Sequence, residues 1–299
     1  MSRWKSCLLG TGAKTRARAD RVRVHFLGVR GSTPAPGLDF VRYGGHTSCI
    51  ALAHDGADAP TLLLDAGTGI RRASALCTGG AFGGAILLSH LHWDHLHGLP
   101  FFSAADREGA HTEVLLPDQL DGESPVEVIS RGMSPPHFPV RPDELRGEWA
   151  FRSIDEGELV VEGFTVRALE IPHKGGRTFG YRISDGHSSL AYMPDHYPSV
   201  LGPGPDGWGE YHPAAMDLAD DVDLLAHDSQ LVAEEIAAEA WFGHAAAEYA
   251  VGLASAARAR HTALIHYKPD RSDDAIDEIA RRFKGRPVTA STQSLVLDL

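Results

Sequence analysis

Short apolar runs rich in Val, Leu, Ile and Thr recur along the chain, with Gly and Pro between them. Such runs predict β-strands, because branched side chains favour extended backbone and Gly and Pro interrupt it. The predicted strands are 22–29, 47–54, 61–65, 85–89, 113–116, 159–171, 178–184, 189–193, 262–266 and 294–298. Apolar residues at helical spacing predict helices at 69–77, 126–131, 230–240, 243–258 and 272–283.

The order of these elements predicts the architecture. Two groups of strands have helices before, between and after them, which is the arrangement expected for two sheets packed face to face and covered by helices. We therefore predict an α/β fold with one domain over residues 21–299. The segment 134–142 contains four prolines and cannot be regular structure. It is either a lid over a site or a surface connector.

Composition and charge limit the classes of function that are compatible with the chain. With 299 residues and 43% hydrophobic content, the chain resembles an ordinary globular enzyme, and no apolar run is long enough to cross a membrane. The first 20 residues carry five basic and one acidic side chain, which we interpret as a flexible basic tail. Because this tail has a formal charge of +4, the formal charge of −12 for the whole chain corresponds to −16 for residues 21–299. This charge disfavours a large nucleic acid as partner and is compatible with a small phosphate ester.

The three cysteines, Cys7, Cys49 and Cys77, include no C-x-x-C pair. An odd number of widely spaced cysteines argues against a disulfide framework and favours a reducing compartment. We therefore expect a cytoplasmic protein with no membrane partner.

A cluster of ligand-type side chains follows the predicted strand 85–89. His90, His92, Asp94 and His95 form the pattern H-x-H-x-D-H. In extended backbone, residues two apart point the same way, so His90 and His92 can reach one ion while Asp94 and His95 turn toward a second. Imidazole and carboxylate groups are ligands for zinc, manganese and iron. The alternative is a His-rich surface loop that binds nothing.

Three further ligand-type residues come at the ends of predicted strands. His173, Asp195 and His266 each follow an apolar run. Any one of them alone would more often be a structural or surface residue. Together they predict one site at the carboxyl ends of several strands.

With these residues in view, the chain resembles the metallo-β-lactamase superfamily over nearly all of residues 21–299. The segment LLLDAGTG at 62–69 is similar to its first motif, and 90–95 to its signature. The resemblance implies a four-layer αββα sandwich with the site between the sheets. It also implies the ligands, with Asp65 bracing them: His90, His92 and His173 for the first metal, Asp94, His95 and His266 for the second, and Asp195 between both.

Flanking segments resemble one branch of that superfamily, which includes ribonuclease Z and cyclic-nucleotide phosphodiesterases. They read FLGVRGSTP at 26–34, YGGHTSC at 43–49, AHDSQ at 226–230 and GHAAAE at 243–248. This resemblance implies hydrolysis of a phosphodiester, with relatives that form homodimers. It leaves open a tRNA 3′-processing endonuclease, and the same ligands also serve thioester and lactone hydrolases.

Two departures from ribonuclease Z favour a small substrate. Only 21 residues separate His173 from Asp195, where bacterial ribonuclease Z enzymes insert a tRNA-gripping arm. The family's His-Ser-Thr motif is replaced here by His244 and two alanines, which lack hydroxyl groups. Together with the acidic composition, these differences favour a small phosphodiester such as a 3′,5′-cyclic nucleotide.

The expected cofactors are two divalent metal ions, with Zn²⁺ as the first expectation and Mn²⁺ or Fe also compatible with the ligands. Two ions ~3.5–4 Å apart can activate a shared water as the nucleophile. We place Asp94, His244 and Asp228 in the catalytic group, with Asp228 holding His244 as it protonates the leaving oxygen. The competing interpretation makes His244 a helix-start residue and Asp228 a helix cap.

Several other polar residues near these motifs have two interpretations. His97, His196 and His227 either orient the ligands or are bystanders. Arg30 or His46 could contact a phosphate from the glycine-rich segment 28–32, although a simple tight turn is the competing interpretation.

Overall fold

Two seven-stranded mixed sheets face each other in the computed structural model, which describes residues 21–299. The predicted tail, 1–20, lies outside the described residues. The first sheet has the order β14-β1-β2-β3-β4-β5-β6. Its strands are β1 (Arg23–Gly28), β2 (Cys49–Ala53), β3 (Leu62–Leu64), β4 (Gly83–Leu87), β5 (His111–Pro117), β6 (Glu148–Ile154) and β14 (Val296–Asp298).

The second sheet is built from the other half of the chain, in the order β13-β12-β11-β10-β9-β8-β7. Its strands are β7 (Gly157–Val161), β8 (Phe164–Glu170), β9 (Phe179–Ser184), β10 (Ser189–Met193), β11 (Leu224–Asp228), β12 (Thr262–Ile265) and β13 (Val288–Ala290). Strands β10 to β13 run parallel to one another, so their carboxyl ends meet at one edge of the sheet.

Helices cover the outer faces of both sheets. The α-helices are α1 (Trp93–Leu96), α2 (Pro125–Ser130), α3 (Pro213–Ala219), α4 (Ile236–Glu239), α5 (Ala247–Ala256) and α6 (Asp273–Arg282). A ten-residue 3-10 helix spans Thr68–Cys77, and shorter ones are Leu38–Phe40, Leu99–Phe101, Pro142–Glu144, Pro198–Leu201, Ala233–Glu235 and Ala240–Phe242. None of the helices in residues 21–299 is long and apolar enough to span a membrane.

Alternating side chains of the strands build separate layers of core. Leu62 and Leu64 on β3 belong to the cluster between the sheets, whereas Leu63 packs outward with Ile70 and Phe102. A third cluster, which includes Leu218 and Leu253, lies under the helices on the outer face of the second sheet. Period-two alternation in a strand buries both faces only when each is covered. The predicted αββα sandwich is therefore confirmed.

Some element boundaries differ from the sequence predictions. The predicted strand 159–171 is two strands, because Glu162 and Gly163 adopt positive φ and form a tight turn. The predicted helix 243–258 begins only at Ala247, so His244 lies in the loop before α5 and not at its start. The predicted helix 230–240 is a series of short turns that begins at Ala233.

The short helix α1 and several short 3-10 helices were not predicted, and four longer or more buried elements were also missed, each for a physical reason. Strands β6 and β13 lie at sheet edges and are only partly buried, so their apolar signal is weak. Strand β11 ends in His227 and Asp228, whose polarity hides a fully buried strand. Helix α3 has only seven residues, which is too short for a clear helical period.

Candidate metal centre

The carboxyl ends of β10, β11 and β12 bring three ligand-type residues together. These strands are parallel neighbours, with Met193 paired to His227 and Asp228 paired to Ile265. Asp195 follows the end of β10, Asp228 ends β11, and His266 directly follows β12. His266 adopts a positive φ of 63°, a rare conformation for a residue with a side chain, and such strain is found at functional positions.

The first sheet delivers its ligand-type residues from one short segment after β4. His90 and His92 lie in the turn before α1, and Asp94 and His95 lie within its single turn. His90, His92 and His173 bring one ring nitrogen each within 4.8 Å of one another. One atom each of Asp94, His95 and His266 meets the same limit. These two groups match the ligand sets that the resemblance implies, which stay a prediction, and three further groups that include Asp195, Asp228 or His244 meet the same limit.

Asp195 lies where the two groups meet. One of its oxygens, Oδ2, is 2.8 Å from His95 Nε2 and 3.2 Å from His266 Nε2. The other oxygen, Oδ1, is 3.5 Å from His173 Nε2. Burial alone would raise the pKa of Asp195, but His266, His95 and His173 together hold it well below its usual range. The side chain is therefore a buried carboxylate surrounded by imidazoles.

The residues fit divalent cations because several lone pairs converge in a buried space. The Nε2 atoms of His95 and His266 are 3.3 Å apart, and His173 Nε2 is 3.2 Å from His92 Nδ1. His90 Nε2 is buried with no hydrogen-bond partner among the described residues. Facing ring nitrogens require a proton or a cation between them, and neutral imidazoles with carboxylates are suitable ligands. The chain thus provides His/Asp clusters suitable for metal binding.

Burial also keeps two of these histidines in the form that binds metal. It lowers the pKa of His173 to about 4 and, with the nearby His95, lowers the pKa of His90 well below its ordinary value. A neutral imidazole offers a lone pair, whereas a protonated one does not. Both side chains can therefore act as ligands at neutral pH.

Asp65 joins the two sheets behind the cluster. Its carboxylate accepts hydrogen bonds from the backbone N–H of Ser89 (2.6 Å) and from the Tyr192 hydroxyl (2.7 Å). His95 Nδ1 lies 2.7 Å from the same carboxylate, which orients His95 Nε2 toward the site. Asp65 has a positive φ of 61°, so its backbone is held in a rare conformation. The residue lies where a brace is expected from the resemblance.

Backbone groups orient two other cluster residues. His173 Nδ1 lies 2.7 Å from the carbonyl oxygen of Gly243, to which it donates, and this leaves Nε2 for the site. The Ser32 N–H donates to Asp94 Oδ2 at 2.7 Å. The role of Ser32 was missed from the sequence, because only the fold brings the loop after β1 against α1. The nearby glycine-rich sequence 28–32 was the available signal.

His244 lies beside the cluster and is held by a carboxylate. Its Nδ1 is 3.2 Å from Asp228 Oδ2 and 3.3 Å from Asp195 Oδ1. Burial alone would lower the pKa of His244, but the facing carboxylates raise it above its ordinary value. Asp228 Oδ2 also accepts from the backbone N–H groups of His196 (3.1 Å) and Ala245 (3.0 Å). Asp228 therefore fixes the loop that carries His244.

The other polar residues singled out from the sequence have different surroundings. His196 and His227 are buried against each other, with 3.1 Å between ring nitrogens, and their rings make no hydrogen bond to the ligand-type side chains. Arg30 is fully buried, donates to the carbonyl oxygens of Gly44 and Arg271, and is thus a structural residue without access to a phosphate. His46 is half-buried and contacts the Thr68 hydroxyl.

A cavity of about 1110 Å³ lies next to the loop that carries His92, although none of the ligand-type side chains itself lines it. Its walls include Leu91 and Trp93, which flank His92 in the chain, and Gly175, where an added Cβ would lie 3.0 Å from His92 Nε2. His97 also lines this cavity. The segment 134–142 supplies His137 and Phe138 to the opposite wall. That segment is irregular, as the four prolines indicate, and it borders a cavity next to the cluster.

A model of the beta-lactamase superfamily domain matches residues 61–267 of this chain. Among curated proteins, the ribonuclease Z of Natronomonas pharaonis is 25% identical over 288 residues, covering 82% of this chain and 86% of that protein. The ribonuclease Z of Gemmatimonas aurantiaca is 26% identical, covering 85% of this chain and 88% of that protein. Each of these two matches therefore covers more than four-fifths of this chain and of the relative's own length.

Solved structures share the fold at lower sequence identity. The metallo-beta-lactamase fold protein YhfI from Bacillus subtilis superposes with a TM-score of 0.65 at 20% identity, covering 94% of this chain and all (100%) of that one. The short form of human tRNase Z gives 0.63 at 20% identity, covering 92% and 98%. A diphosphatase from the PhnP family gives 0.65 at 17% identity, covering 93% and 98%.

Proposed function

This chain is a metal-dependent hydrolase that belongs to the metallo-β-lactamase superfamily, and from that premise we propose that its substrate is a small phosphodiester, such as a 3′,5′-cyclic nucleotide. The single observation that carries the proposal is the imidazole of His244 beside the ligand cluster, held at 3.2 Å by Asp228. An alkoxide that leaves phosphorus needs a proton, and a positioned imidazole supplies one.

The proposed cofactors are two divalent ions, with zinc as the first candidate. His90, His92 and His173 would hold one ion, Asp94, His95 and His266 the other, and Asp195 would contact both. The contact of Asp195 with histidines of both groups supports this assignment. Such ions would supply Lewis-acid polarisation of the phosphoryl group and would lower the pKa of water.

The chain's own residues orient the site and move the proton. Asp65 and the Gly243 carbonyl oxygen fix the rings of His95 and His173, and Ser32 fixes Asp94. Asp228 holds His244 at Nδ1. The other ring nitrogen, Nε2, makes no hydrogen bond within residues 21–299 and is the atom from which the proton passes to the leaving oxygen. No serine or cysteine nucleophile is needed.

A second candidate function is tRNA 3′-processing of the ribonuclease Z type. The curated relatives that carry this name match over more than four-fifths of the chain. The formal charge of −16 over residues 21–299 and the 21-residue spacing between His173 and Asp195 favour the small substrate. A homodimer, which the resemblance favours, belongs to the same proposal and is measured by light scattering after size-exclusion chromatography.

The proposal is tested by hydrolysis of bis(p-nitrophenyl) phosphate with protein reconstituted with Zn²⁺ or Mn²⁺. We expect metal-dependent turnover that is absent in His92→Ala and intact in His187→Ala, an exposed histidine in the turn between β9 and β10. Turnover of thioesters or lactones in place of the phosphodiester, with no loss in His244→Ala, would instead indicate an acyl hydrolase. A precursor tRNA substrate distinguishes the second candidate.

A further inference from the structure

The most exposed tryptophan and phenylalanine side chains of residues 21–299 lie in two short segments, 93–101 and 241–242. Within residues 21–299, Trp93 (69%), Phe101 (54%), Trp241 (54%) and Phe242 (49%) are the tryptophan and phenylalanine side chains with large exposed fractions. Trp93 directly follows His92, Phe101 lines the same cavity as Trp93, and Trp241 and Phe242 directly precede Gly243, whose carbonyl oxygen contacts His173. Aromatic rings gain most free energy when they are covered, so exposed rings grouped around a site indicate ligand contact.

The first aromatic platform consists of Trp93 and Phe101 and borders the cavity beside His92. Trp93 lies between His92 and Asp94 in the chain, and its ring stacks on His97 with centroids 5.2 Å apart. Phe101 packs edge-on against Phe138 at 5.9 Å. The cavity of about 1110 Å³ between these rings exceeds what a phosphate alone requires. The platform is therefore suited to a planar ring that the substrate carries.

The second aromatic platform consists of Trp241 and Phe242. The two rings stack with centroids 3.8 Å apart. They directly precede Gly243, whose carbonyl oxygen orients His173. Lys174 Nζ lies 4.7 Å from the Trp241 ring centroid and donates to the Trp241 carbonyl oxygen at 3.1 Å. The segment 241–243 therefore holds this platform next to the ligand cluster. Trp241 contacts Lys174, and Gly243 contacts His173.

The segment 173–175 separates the two platforms. His173 enters the ligand cluster, Lys174 turns to Trp241, and Gly175 lines the cavity next to His92. Consecutive residues thus reach the ligand cluster, the second platform and the cavity that the first platform lines. The ligand cluster is therefore linked through the chain to both platforms: His92 directly precedes Trp93, and His173 directly precedes Lys174, which contacts Trp241.

Basic side chains accompany both platforms in an otherwise acidic molecule. Arg71 lines the first cavity and is exposed, and its side chain makes no hydrogen bond or ion pair with another described residue. Lys174 provides a positive charge at the second platform. Such local charges attract a short anionic ligand, while the formal charge of −16 over residues 21–299 repels a long one.

We infer that the substrate is a short phosphodiester that joins two nucleosides, with its linking phosphate at the ligand cluster and one base on each aromatic platform. This inference rests on the proposed function and specifies its substrate class. Bases of any sequence stack on aromatic side chains, so two platforms suit a dinucleotide. A cyclic mononucleotide has one base and can cover only one platform.

The reaction on such a substrate is a simple hydrolysis. The oxygen of a water molecule bonds to phosphorus while the P–O bond to one ribose breaks. The departing ribose oxygen takes a proton from His244, and the proton lost by the water passes to solvent, from which His244 is reprotonated. The products are one nucleoside and one nucleoside monophosphate. No oxidant, reductant or second substrate is required.

Binding is tested with the metal-loaded protein and a slowly hydrolysed probe, diadenosine linked by a phosphorothioate. Tryptophan fluorescence gives its Kd. We expect Trp93→Ala and Trp241→Ala each to raise Kd about 5- to 100-fold, since each removes the stacking surface for one base. Trp149→Ala is the matched control, because Trp149 lies at the start of β6, at the opposite end of the sheet. It should change Kd by less than about twofold.

Kinetics on the same variants complete the test. We expect a higher kcat/KM for diadenosine monophosphate than for 3′,5′-cyclic AMP, and a loss of that preference in either platform variant. Equal or better hydrolysis of 3′,5′-cyclic AMP, or weaker probe binding in only one of the two variants, would overturn the inference. Failure of the proposed function is separate, because it would show as no hydrolysis of bis(p-nitrophenyl) phosphate by the wild-type enzyme.

Discussion

The two sheets contribute to the candidate metal centre in different ways. After β4, the first sheet supplies four ligand-type residues within the segment 90–95. The second sheet supplies His173, Asp195 and His266, which are spread over almost a hundred residues. Asp195 and His266 meet because β10, β11 and β12 are parallel neighbours, and His173 reaches them from the loop between the antiparallel strands β8 and β9. One contribution depends on local sequence and the other on strand order. A site built this way requires both sheets to be correctly packed.

If both sheets build the centre, the ligand-type residues of the second half of the chain are as necessary for activity as the contiguous motif 90–95. Loss of the Asp195 carboxylate should disrupt the centre most, because this group contacts His95 of the first half of the chain and His266 of the second half. We expect Asp195→Asn to lower phosphodiester turnover by more than about 100-fold, because even supporting groups around a metal cost 10- to 100-fold. Steady-state kinetics with added zinc provides the measurement.

The control for this change is Asp39→Asn, an exposed carboxylate in the short helix after β1. It should retain wild-type turnover. Wild-type activity in Asp195→Asn would show that the motif of the first half suffices alone.

Arg30 tests how the two halves are held together. This fully buried guanidinium, just after β1, donates to the Arg271 carbonyl oxygen at 2.6 Å and pairs with Asp273 at 3.4 Å, both beyond β12. Arg30→Ala removes the buried cation of Asp273 and leaves it only the half-exposed Arg42 at 3.9 Å, and loss of a buried ionic partner typically costs about 3–5 kcal/mol of unfolding free energy. Urea unfolding followed by circular dichroism measures the loss.

The matched change is Arg23→Ala, which breaks the exposed ion pair between Arg23 and Asp298 within the first sheet. We expect Arg23→Ala to lower the free energy of unfolding by less than about 1 kcal/mol. Equal costs for the two arginines would contradict a structural role for Arg30 in joining the halves.

Substitution of His244 tests proton transfer separately from metal binding. Because it is proposed to protonate the leaving oxygen, we expect His244→Ala to lower kcat about 100-fold for an alkyl phosphodiester and to leave bound metal unchanged. The loss should be much smaller with bis(p-nitrophenyl) phosphate, whose p-nitrophenolate leaves readily without a proton. A comparison of kcat for the two substrates checks this. Equal losses on both would argue against a proton donor.

Tyr192 gives the smallest expected effect and tests the link through Asp65. Its hydroxyl donates to the Asp65 carboxylate at 2.7 Å from the opposite sheet. A hydrogen bond to a charged group contributes about 1.5–3 kcal/mol, so Tyr192→Phe should lower the unfolding free energy by that amount. Tyr181→Phe is the comparison, because Tyr181 donates to the neutral Leu88 carbonyl oxygen and should cost about 1 kcal/mol. A larger loss in Tyr181→Phe would contradict the role of Asp65.

The sequence was sufficient for the parts of the site that local pattern specifies. His90 to His95 follow an apolar strand in an order that predicts a metal site, and the strand ends before His173 and His266 were visible as apolar runs. The sandwich architecture could be predicted because the grouping of strands and helices is a property of the whole chain.

Other features depend on contacts that no local pattern encodes. Ser32 reaches Asp94, and Tyr192 reaches Asp65, only after the strands have paired and the sheets have packed. The cavity beside His92 likewise forms from distant segments, including Gly175. Arg30 illustrates the reverse case. Its glycine-rich surroundings suggested a phosphate contact, yet burial against Asp273 gives it a structural role.

The most direct test of a centre shared by both halves is the metal content of three purified proteins, measured by inductively coupled plasma mass spectrometry after zinc loading and dialysis. The proteins are the wild type, His90→Ala from the first half and His266→Ala from the second. We expect about two zinc ions per wild-type chain and a clear loss in each variant. Full metal content in His266→Ala, or no retained metal in the wild type, would contradict a centre that both sheets build.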